Sequence, residues 1–268
     1  MKVSVLIPFF DDLRDLPAAL EGLAAQTFRD FEVVLVADGS PESVVREAGA
    51  MAARFFPVRT QWSLQVYAEN RGPGYARNYG ILFGARGEYI AVQDSDDVSM
   101  PGRLASAVKH LDAGADLIYS DILEGTSPEL AERIPARAPE TITEDQWLLR
   151  RDWFGIRHNG LVYRRRTALL YPYPAFARGF GEDTLFLMQM GLFAKAKLAY
   201  DPEPLVFARV RPESLSHSPA ARQSRKKRHR LSAAFFDYYY RLGGGLRGGD
   251  ADSWRRLLWS AFSEAPGK

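Results

Sequence analysis

Glu88-Tyr89-Ile90-Ala91-Val92-Gln93-Asp94-Ser95-Asp96-Asp97 is the stretch from which the rest of the chain can be read. An apolar run with β-branched and aromatic members stops at three carboxylates within four positions. That pattern describes a buried strand whose last residues meet solvent. Like charges this close raise the cost of ionising all of them, so they need full solvation or a cation to share. Hard divalent cations such as Mg²⁺ or Mn²⁺ take oxygen ligands and commonly join one or two protein carboxylates to substrate phosphates. Asp94-Ser95-Asp96 is therefore the candidate diphosphate-metal site, with Asp96 and Asp94 as candidate ligands. A bare Asp-x-Asp also suits an acidic turn that caps a helix, and the surroundings must choose.

Upstream, Val3-Ser4-Val5-Leu6-Ile7-Pro8 reads as a buried strand ending at proline, followed by the turn Phe9-Phe10-Asp11-Asp12. A helix follows with Asp15 as N-cap, Pro17 in its first turn, and Leu16, Leu20, Leu23 and Ala24 on one face. Phe31 to Ala37 is a second strand ending at Asp38-Gly39-Ser40, Pro41 opens a helix to about Arg54, and a third strand lies at Leu64 to Tyr67. Tyr75 to Ala85 reads as helix before the strand that opens at Tyr89. This alternation predicts an α/β fold, a mainly parallel sheet with helices on both faces. Ligands of such sheets sit beyond the carboxyl ends of the strands, where Asp11, Asp38, Asp94 and Asp96 all fall.

Each acid has a second reading. Asp11 alone suits a cap or turn, and so does Asp38 in Asp-Gly-Ser. As a site residue, Asp38 would accept an imide or amide N–H from uracil, thymine or guanine. Phe10 could lie against that base, although an aromatic at a strand end also suits a core. Asn70-Arg71-Gly72-Pro73-Gly74-Tyr75-Ala76-Arg77-Asn78 is a loop-to-helix junction whose glycines permit close backbone approach. Arg71 or Arg77 would meet phosphate oxygens or the base. The segment is neither a Walker A loop nor a dinucleotide fingerprint.

Taken together, Ser4-Val5-Leu6-Ile7-Pro8, Gln26-Thr27-Phe28, Asp38-Gly39-Ser40, Asn70-Arg71-Gly72, Ala76-Arg77-Asn78, Gly87-Glu88-Tyr89-Ile90 and Asp94-Ser95-Asp96-Asp97 resemble the family-2 glycosyltransferases in order and spacing. The resemblance is close over residues 1–105. It implies a GT-A fold with a Rossmann-like nucleotide-binding half, 1–105, an acceptor half, 106–220, and a C-terminal extension, 221–268. It also implies inverting chemistry on a nucleotide-sugar donor, with Asp38 on the base, Asp94 near the ribose or a metal-bound water, and Asp96 on Mg²⁺ or Mn²⁺. The candidate donor-binding set is Pro8, Phe10, Asp11, Asp38, Arg71, Arg77, Asp94 and Ser95.

Past Pro101 a helix from about Arg103 to Leu111 leads to a strand at Asp116 to Asp121. Glu124 to Ile142, rich in Pro, Glu and Arg, reads as a long surface loop, either an acceptor-side flap or a plain insertion. Gly155 to Tyr163 reads as a loop entering a strand. A lone histidine there suits a structural hydrogen bond, while the resemblance makes His158 and Asn159 candidate acceptor contacts. In Arg178 to Leu187, Gly181 precedes Glu182-Asp183 and an apolar helix. Those acids suit a helix start favoured by its dipole, or one of them faces the crevice as a general base. The family's acidic motif has its base second, which implies Asp183 as catalyst and Glu182 as an acceptor-orienting or capping residue. Leu205 to Val210 is a further strand, and Arg209 to His217 resembles a loop that closes over the donor. Arg211 stands where that family often has a histidine, and His217 is a substitute candidate ligand.

Composition bounds the remainder. The chain has 268 residues, 46% apolar and 25% charged, ordinary for a globular domain, and no cysteine, which excludes disulfides and thiolate metal sites. The first apolar run is too short for a signal peptide and no eighteen-residue apolar stretch exists, so the expected location is cytoplasmic, including peripherally at the inner membrane face. Residues 222–230 hold six Lys/Arg and no acid, ahead of Leu231, Phe235, Tyr238, Tyr239 and Leu242 at near-helical spacing. This suits peripheral contact with anionic lipid through 222–242, or a solvated basic face packed on its own core. No base-reading module accompanies the charges, so nucleic acid is not expected. Trp254 to Phe262 is a short amphipathic helix, a candidate for homodimer or membrane contact.

The expected function is metal-dependent, inverting transfer of a sugar from a nucleoside-diphosphate sugar, UDP foremost, to a hydroxyl of a glycan or lipid-linked glycan. A sugar-phosphate nucleotidyltransferase is the alternative enzyme, but it would carry a glycine-rich Lys/Arg loop after the first strand, where Phe9-Phe10-Asp11-Asp12 stands. A non-catalytic module that binds nucleotide sugar or a membrane surface is the third reading.

Overall fold

A computed structural model describes residues 1–136, 156–174, 182–192, 194 and 196–211. Its organising strand is β1 (Val3–Phe9), flanked in parallel by β2 (Phe31–Asp38) and β4 (Tyr89–Val92), with β3 (Trp62–Tyr67) parallel on the far side of β2. The chain steps outward from β1 to β3 and then returns to the other side of β1 for β4. That reversal opens a crevice at the carboxyl ends of β1 and β4. Phe10 to Asp12 and Gln93 to Asp97 leave their strands there.

The second half is mixed. β8 (Val162–Arg164) runs antiparallel to β4, β6 (Leu117–Gly125) antiparallel to β8, and β9 (Leu198–Arg209) parallel to β6. β5 (Val98–Ser99) pairs with β9, and β7 (Glu132–Ile134) with β6, both antiparallel. Among the described residues the order is β3-β2-β1-β4-β8-β6-β9-β5 with β7 off that path. The long registers are parallel ones, as the sequence predicts, and short antiparallel strands complete the curl without needing a crossover helix each.

Alternation along the strands divides the core in two. Val3, Val5, Ile7, Val33 and Leu35 pack beneath α1 (Leu16–Ala24), α2 (Glu42–Phe55) and α4 (Arg103–Asp112). Leu6, Val34, Val36, Ile90 and Val92 face α3 (Pro73–Tyr79), α5 (Arg165–Leu170) and α6 (Glu182–Leu192).

Several expectations are revised in detail. Asp15 occupies the N-cap position of α1 but makes no capping bond; its carboxylate pairs with Arg209 and Arg211 instead. The single helix predicted over 75–85 ends at Tyr79 and gives way to a π-helical turn, Gly80–Gly84. A Cβ on Gly80 would lie 2.9 Å from Val36, and one on Gly84 2.5 Å from Val34, so both glycines let the turn seat against β2. The loop predicted over 124–142 is a hairpin in its first part. Buried Asp121 accepts bonds from Arg133 Nε, the Ala136 amide and the Tyr200 hydroxyl, which holds β7 against β6. Residues 137–142 of that loop lie outside the described residues, as do Gly155, Arg178 to Gly181, His217, the basic segment 222–242 and the terminal helix 254–262. Among the described residues no helix is long and apolar enough to cross a membrane.

One buried cation ties the halves together. Arg103, 1% exposed at the start of α4, donates to Gln93 Oε1 (3.0 Å), Ser99 Oγ (2.8 Å), the Asn159 carbonyl (2.9 Å) and the Val92 carbonyl. Burial pulls its pKa down to about 10, against the opposing pull of Asp97 and Asp94. Replacing Arg103 by Leu leaves several buried acceptors unsatisfied at about 1–3 kcal/mol each, so the variant is expected to lose at least about 3 kcal/mol in urea denaturation. A loss within error of zero would remove Arg103 from this role.

Candidate active site

Asp38 closes β2 and is 5% exposed. Its Oδ1 accepts the Arg71 amide (2.6 Å) and the Tyr67 hydroxyl (2.8 Å), and its Oδ2 accepts the Gly72 amide (2.8 Å). The carboxylate thus fixes the loop that starts α3. Gly39 has φ +71°, and a Cβ there would sit 2.2 Å from the Asn70 nitrogen, so only glycine lets the loop cross so close. A carboxylate offers about four lone-pair sites, which leaves Asp38 roughly one for a base N–H. Around it, the Arg71 guanidinium lies 4.9 Å from the Tyr75 ring centre, Phe10 is 47% exposed, and Ser40 Oγ donates to the Phe10 carbonyl. Pro8 is buried within β1, and Asp11 is exposed.

After β4, the buried Gln93 shapes the acidic turn. Its amide nitrogen donates to the carbonyls of Asp97 (2.5 Å) and Asp94 (3.2 Å), while its oxygen accepts from Ser99 and Arg103. The three acids then have three environments. Asp97 is 4% exposed and accepts from Asn159 Nδ2 (2.6 Å) and the Arg209 amide (3.0 Å). Burial, then Asp94 and Asp96, push its pKa well above the usual carboxylate range. Asp96 is pushed up to about 6 by burial and then by Asp94, with Arg209 opposing. Asp94 accepts a bond from Arg77 Nη2 (2.8 Å).

Arg77 is 4% exposed, and its Nη1 lies 3.8 Å from Glu182 Oε1. Burial works against its charge, yet Asp94, Tyr173 and Glu182 together raise its pKa. The guanidinium expected on phosphate or base is therefore engaged with two carboxylates inside the protein. Asp183 is half-buried in the first turn of α6, where its Oδ1 accepts the Thr184 amide (2.7 Å). His158 Nε2 lies 2.8 Å from the Tyr173 hydroxyl, which lies 3.1 Å from that of Tyr163. Burial, with Arg77 and Arg103 nearby, holds the imidazole pKa well below 6.5, so His158 is neutral at neutral pH. Asn159 is engaged with Asp97.

The structure thus links Asp38, the 70–72 loop, α3, Asp94 and the Glu182–Asp183 turn in one continuous run of contacts. Arg103, Gln93, Asn78, Tyr173 and Arg209 support it; the sequence marks Asn78 only within the Ala76-Arg77-Asn78 motif and Arg209 only as the start of a loop, and gives none of the five this role. Arg211, at the position where the resemblance expects histidine, pairs with Asp12 (3.1 Å) and Asp15, and Arg209 Nε lies 3.3 Å from Asp15.

Among the described residues no group of three or more His, Cys, Asp or Glu side chains is arranged to hold a metal ion. Asp96 and Asp94 nevertheless suit a hard cation. Burial first and Asp94 second raise the Asp96 pKa, a penalty on its charge that a bound cation would offset, and such ions complete their shell from phosphates and water.

Asp38, Asp94 and Asp96, at or just past the carboxyl ends of parallel strands beside a reversal of strand order, stand where α/β sheets bind their ligands. Residues 4–170 match the family model described as glycosyl transferase family 2, and the chain belongs to that family. It is 30% identical over 172 residues to an uncharacterized glycosyltransferase of Nostoc, covering 62% of this chain and 51% of that protein. It is 26% identical over 216 residues to the succinoglycan biosynthesis protein ExoW of Rhizobium meliloti, covering 75% and 66%. The chain thus spans about half of the first relative's length and two thirds of the second's. The fold is shared with S. aureus TarS 1-349 in complex with UDP-GlcNAc, at a TM-score of 0.69 and 21% identity over 99% of this chain and 74% of that one. It is shared also with the mannosyltransferase PcManGT from Pyrobaculum calidifontis in complex with GDP-Man and Mn²⁺, at 0.63 and 17% over 100% and 76%. These likenesses give the fold as GT-A.

Asp38→Asn would turn a donor toward backbone N–H groups that now find an acceptor. Amide exchange at Arg71 and Gly72 should rise by about tenfold or more, with about 1–3 kcal/mol of stability lost. Parent-like protection of both amides would show that the loop holds itself.

Proposed function

We propose that the protein transfers a sugar from a nucleoside-diphosphate sugar to an acceptor hydroxyl, with inversion at the anomeric carbon. The observation that carries the reading is the contact of Arg77 with both Asp94 and Glu182, which joins the acid cluster after β4 to the turn that bears Asp183. Residues 1–105 form the donor half, 106–220 the acceptor half and 221–268 an extension.

Asp183 accepts the proton of the acceptor hydroxyl as that oxygen bonds to the anomeric carbon. The bond from that carbon to the diphosphate breaks on the opposite face, through an oxocarbenium-like state. Asp96 with Asp94 would hold Mg²⁺ or Mn²⁺, which when bound supplies positive charge to the departing diphosphate. Asp38 accepts an N–H of the base, with Phe10 and Arg71 beside it. Pro8, Asp11 and Ser95 border the donor. His158 is assigned to the acceptor side. The complexes of the structural neighbours with UDP-GlcNAc and GDP-Man favour a uracil or guanine nucleotide. The likeness to a succinoglycan biosynthesis protein favours a glycan or lipid-linked glycan acceptor, which the basic segment 222–242 would meet at an anionic membrane surface.

A panel of UDP-, dTDP- and GDP-sugars with Mn²⁺ should yield one that raises the melting temperature, and Asp96→Asn should diminish that rise. With that donor, Asp183→Asn is expected to lower turnover by about 10²–10⁴-fold and keep the thermal shift. Undiminished turnover of the Asn variant would refute the assignment.

A further inference from the structure

The helix α3 is usually read through its loop, yet its buried side is what reaches the other half of the protein. Gly74, Arg77 and Asn78 are spaced i, i+3 and i+4, so they share one helix face, and all are buried. That face packs on α6 and the strand of chain before it. A Cβ on Gly74 would lie 3.0 Å from Glu182 Cγ and 3.5 Å from Tyr173 Cβ, so a side chain at this position would crowd Glu182. Asn78 clamps the backbone of Tyr173 from both sides, donating to its carbonyl (2.7 Å) and accepting its amide (2.8 Å). The Tyr173 ring in turn stacks on Phe186 of α6, with centres 4.0 Å apart and planes 8° from parallel. At the outer end of this contact Arg77 spans Asp94 at 2.8 Å and Glu182 at 3.8 Å, with its guanidinium carbon 5.5 Å from the Tyr173 ring centre.

We infer that Arg77 is a positioning residue: by gripping Asp94 and Glu182 with one planar guanidinium, it sets the spacing between the donor-side acid and the first turn of α6, where Asp183 stands. The inference rests on the assignment of Asp183 made above. Two features favour a spacer over a simple counter-charge. A guanidinium carries its charge in a rigid plane, so the hydrogen bond from Nη2 to Asp94 also sets where Nη1 stands, 3.8 Å from Glu182 as an ion pair, a linkage that a flexible ammonium does not provide. The spacing also matters to chemistry more than to folding, because α6 already carries its own apolar packing through Leu185, Phe186 and Met188.

The test compares the parent with Arg77→Met, Arg77→Lys, Glu182→Gln and the Arg77→Met/Glu182→Gln double variant. Steady-state transfer gives kcat and donor KM, and hydrogen exchange reports on α6. Arg77→Met should lose about 10²-fold in kcat with donor KM shifted by no more than about threefold, as expected for misplacement of a catalytic group. Arg77→Lys should recover part of the loss. The double variant should be no slower than the slower single one, because both substitutions break the same contact. The amides of α6 should exchange faster while those of α1 and α2 stay as in the parent. Parent-like kcat in Arg77→Met, full recovery of parent kcat in Arg77→Lys, losses that multiply in the double variant, or unchanged exchange in α6 would each overturn the inference. If Arg77→Met does not fold, Arg77→Lys and Glu182→Gln carry the same comparison. If the parent transfers no sugar from any donor of the panel, the functional assignment fails, and the exchange of α6 still decides whether Arg77 holds the helix.

Discussion

Three carboxylates within four positions repel one another, and much of the structure around them exists to meet that repulsion. The chain answers each acid differently. Asp97 is buried and takes hydrogen bonds from Asn159 and the Arg209 amide, Asp94 is paired with the guanidinium of Arg77, and Asp96 remains at the end of the turn with its charge incompletely met. A second buried guanidinium, Arg103, is bonded to the carbonyl and amide groups that shape the turn from behind. The cations come from α3 and α4 on opposite faces of the sheet, so the acid turn can form only when both layers are in place. Burying charge at this cost is a poor way to gain stability. It does fix one geometry at the end of β4.

How much of this could be read from the residues depends on distance along the chain. The parallel half, its strand ends and the acids they present follow from hydrophobic runs that stop at turn residues, a local signal. The seven short motifs add a family, and the fold agrees with it. Asp15 shows the limit: as a residue before a helix it looks like a cap, but its partners Arg209 and Arg211 are contributed by β9 and the residues after it. Arg103 likewise looks like a surface residue in a helix pattern, and Arg77, read from its motif as a contact for phosphate or base, gives no sign of its carboxylate partners, because nothing in sequence marks a buried cation until its acceptors are known. The hairpin of β6 and β7 is masked by polar composition, since it is fixed by the buried carboxylate of Asp121 and by one apolar contact, Ile134 on Ile122, Val206 and Ala208.

Where the resemblance in sequence leads one to expect a histidine, this chain has Arg211. Arg211 is instead one of two arginines that converge on the acids after β1, with Asp15 shared between them. Positive charge at this rim is therefore carried by fixed side chains. In the proposed donor complex this would change the electrostatics facing the diphosphate: a guanidinium offers directed donors to phosphate oxygens, whereas a neutral imidazole offers a lone pair to a cation.

The near-saturation of Asp38 by the 70–72 loop has a consequence for selectivity between nucleotides. With roughly one lone pair left, this carboxylate reads at most a single N–H, a feature that uracil, thymine and guanine all present. In the proposed role of base contact it would therefore accept a purine or a pyrimidine alike. Choice between nucleotides would then fall to the side chains that surround the base, for which the exposed Phe10 and the Arg71 guanidinium lying against Tyr75 are the candidates.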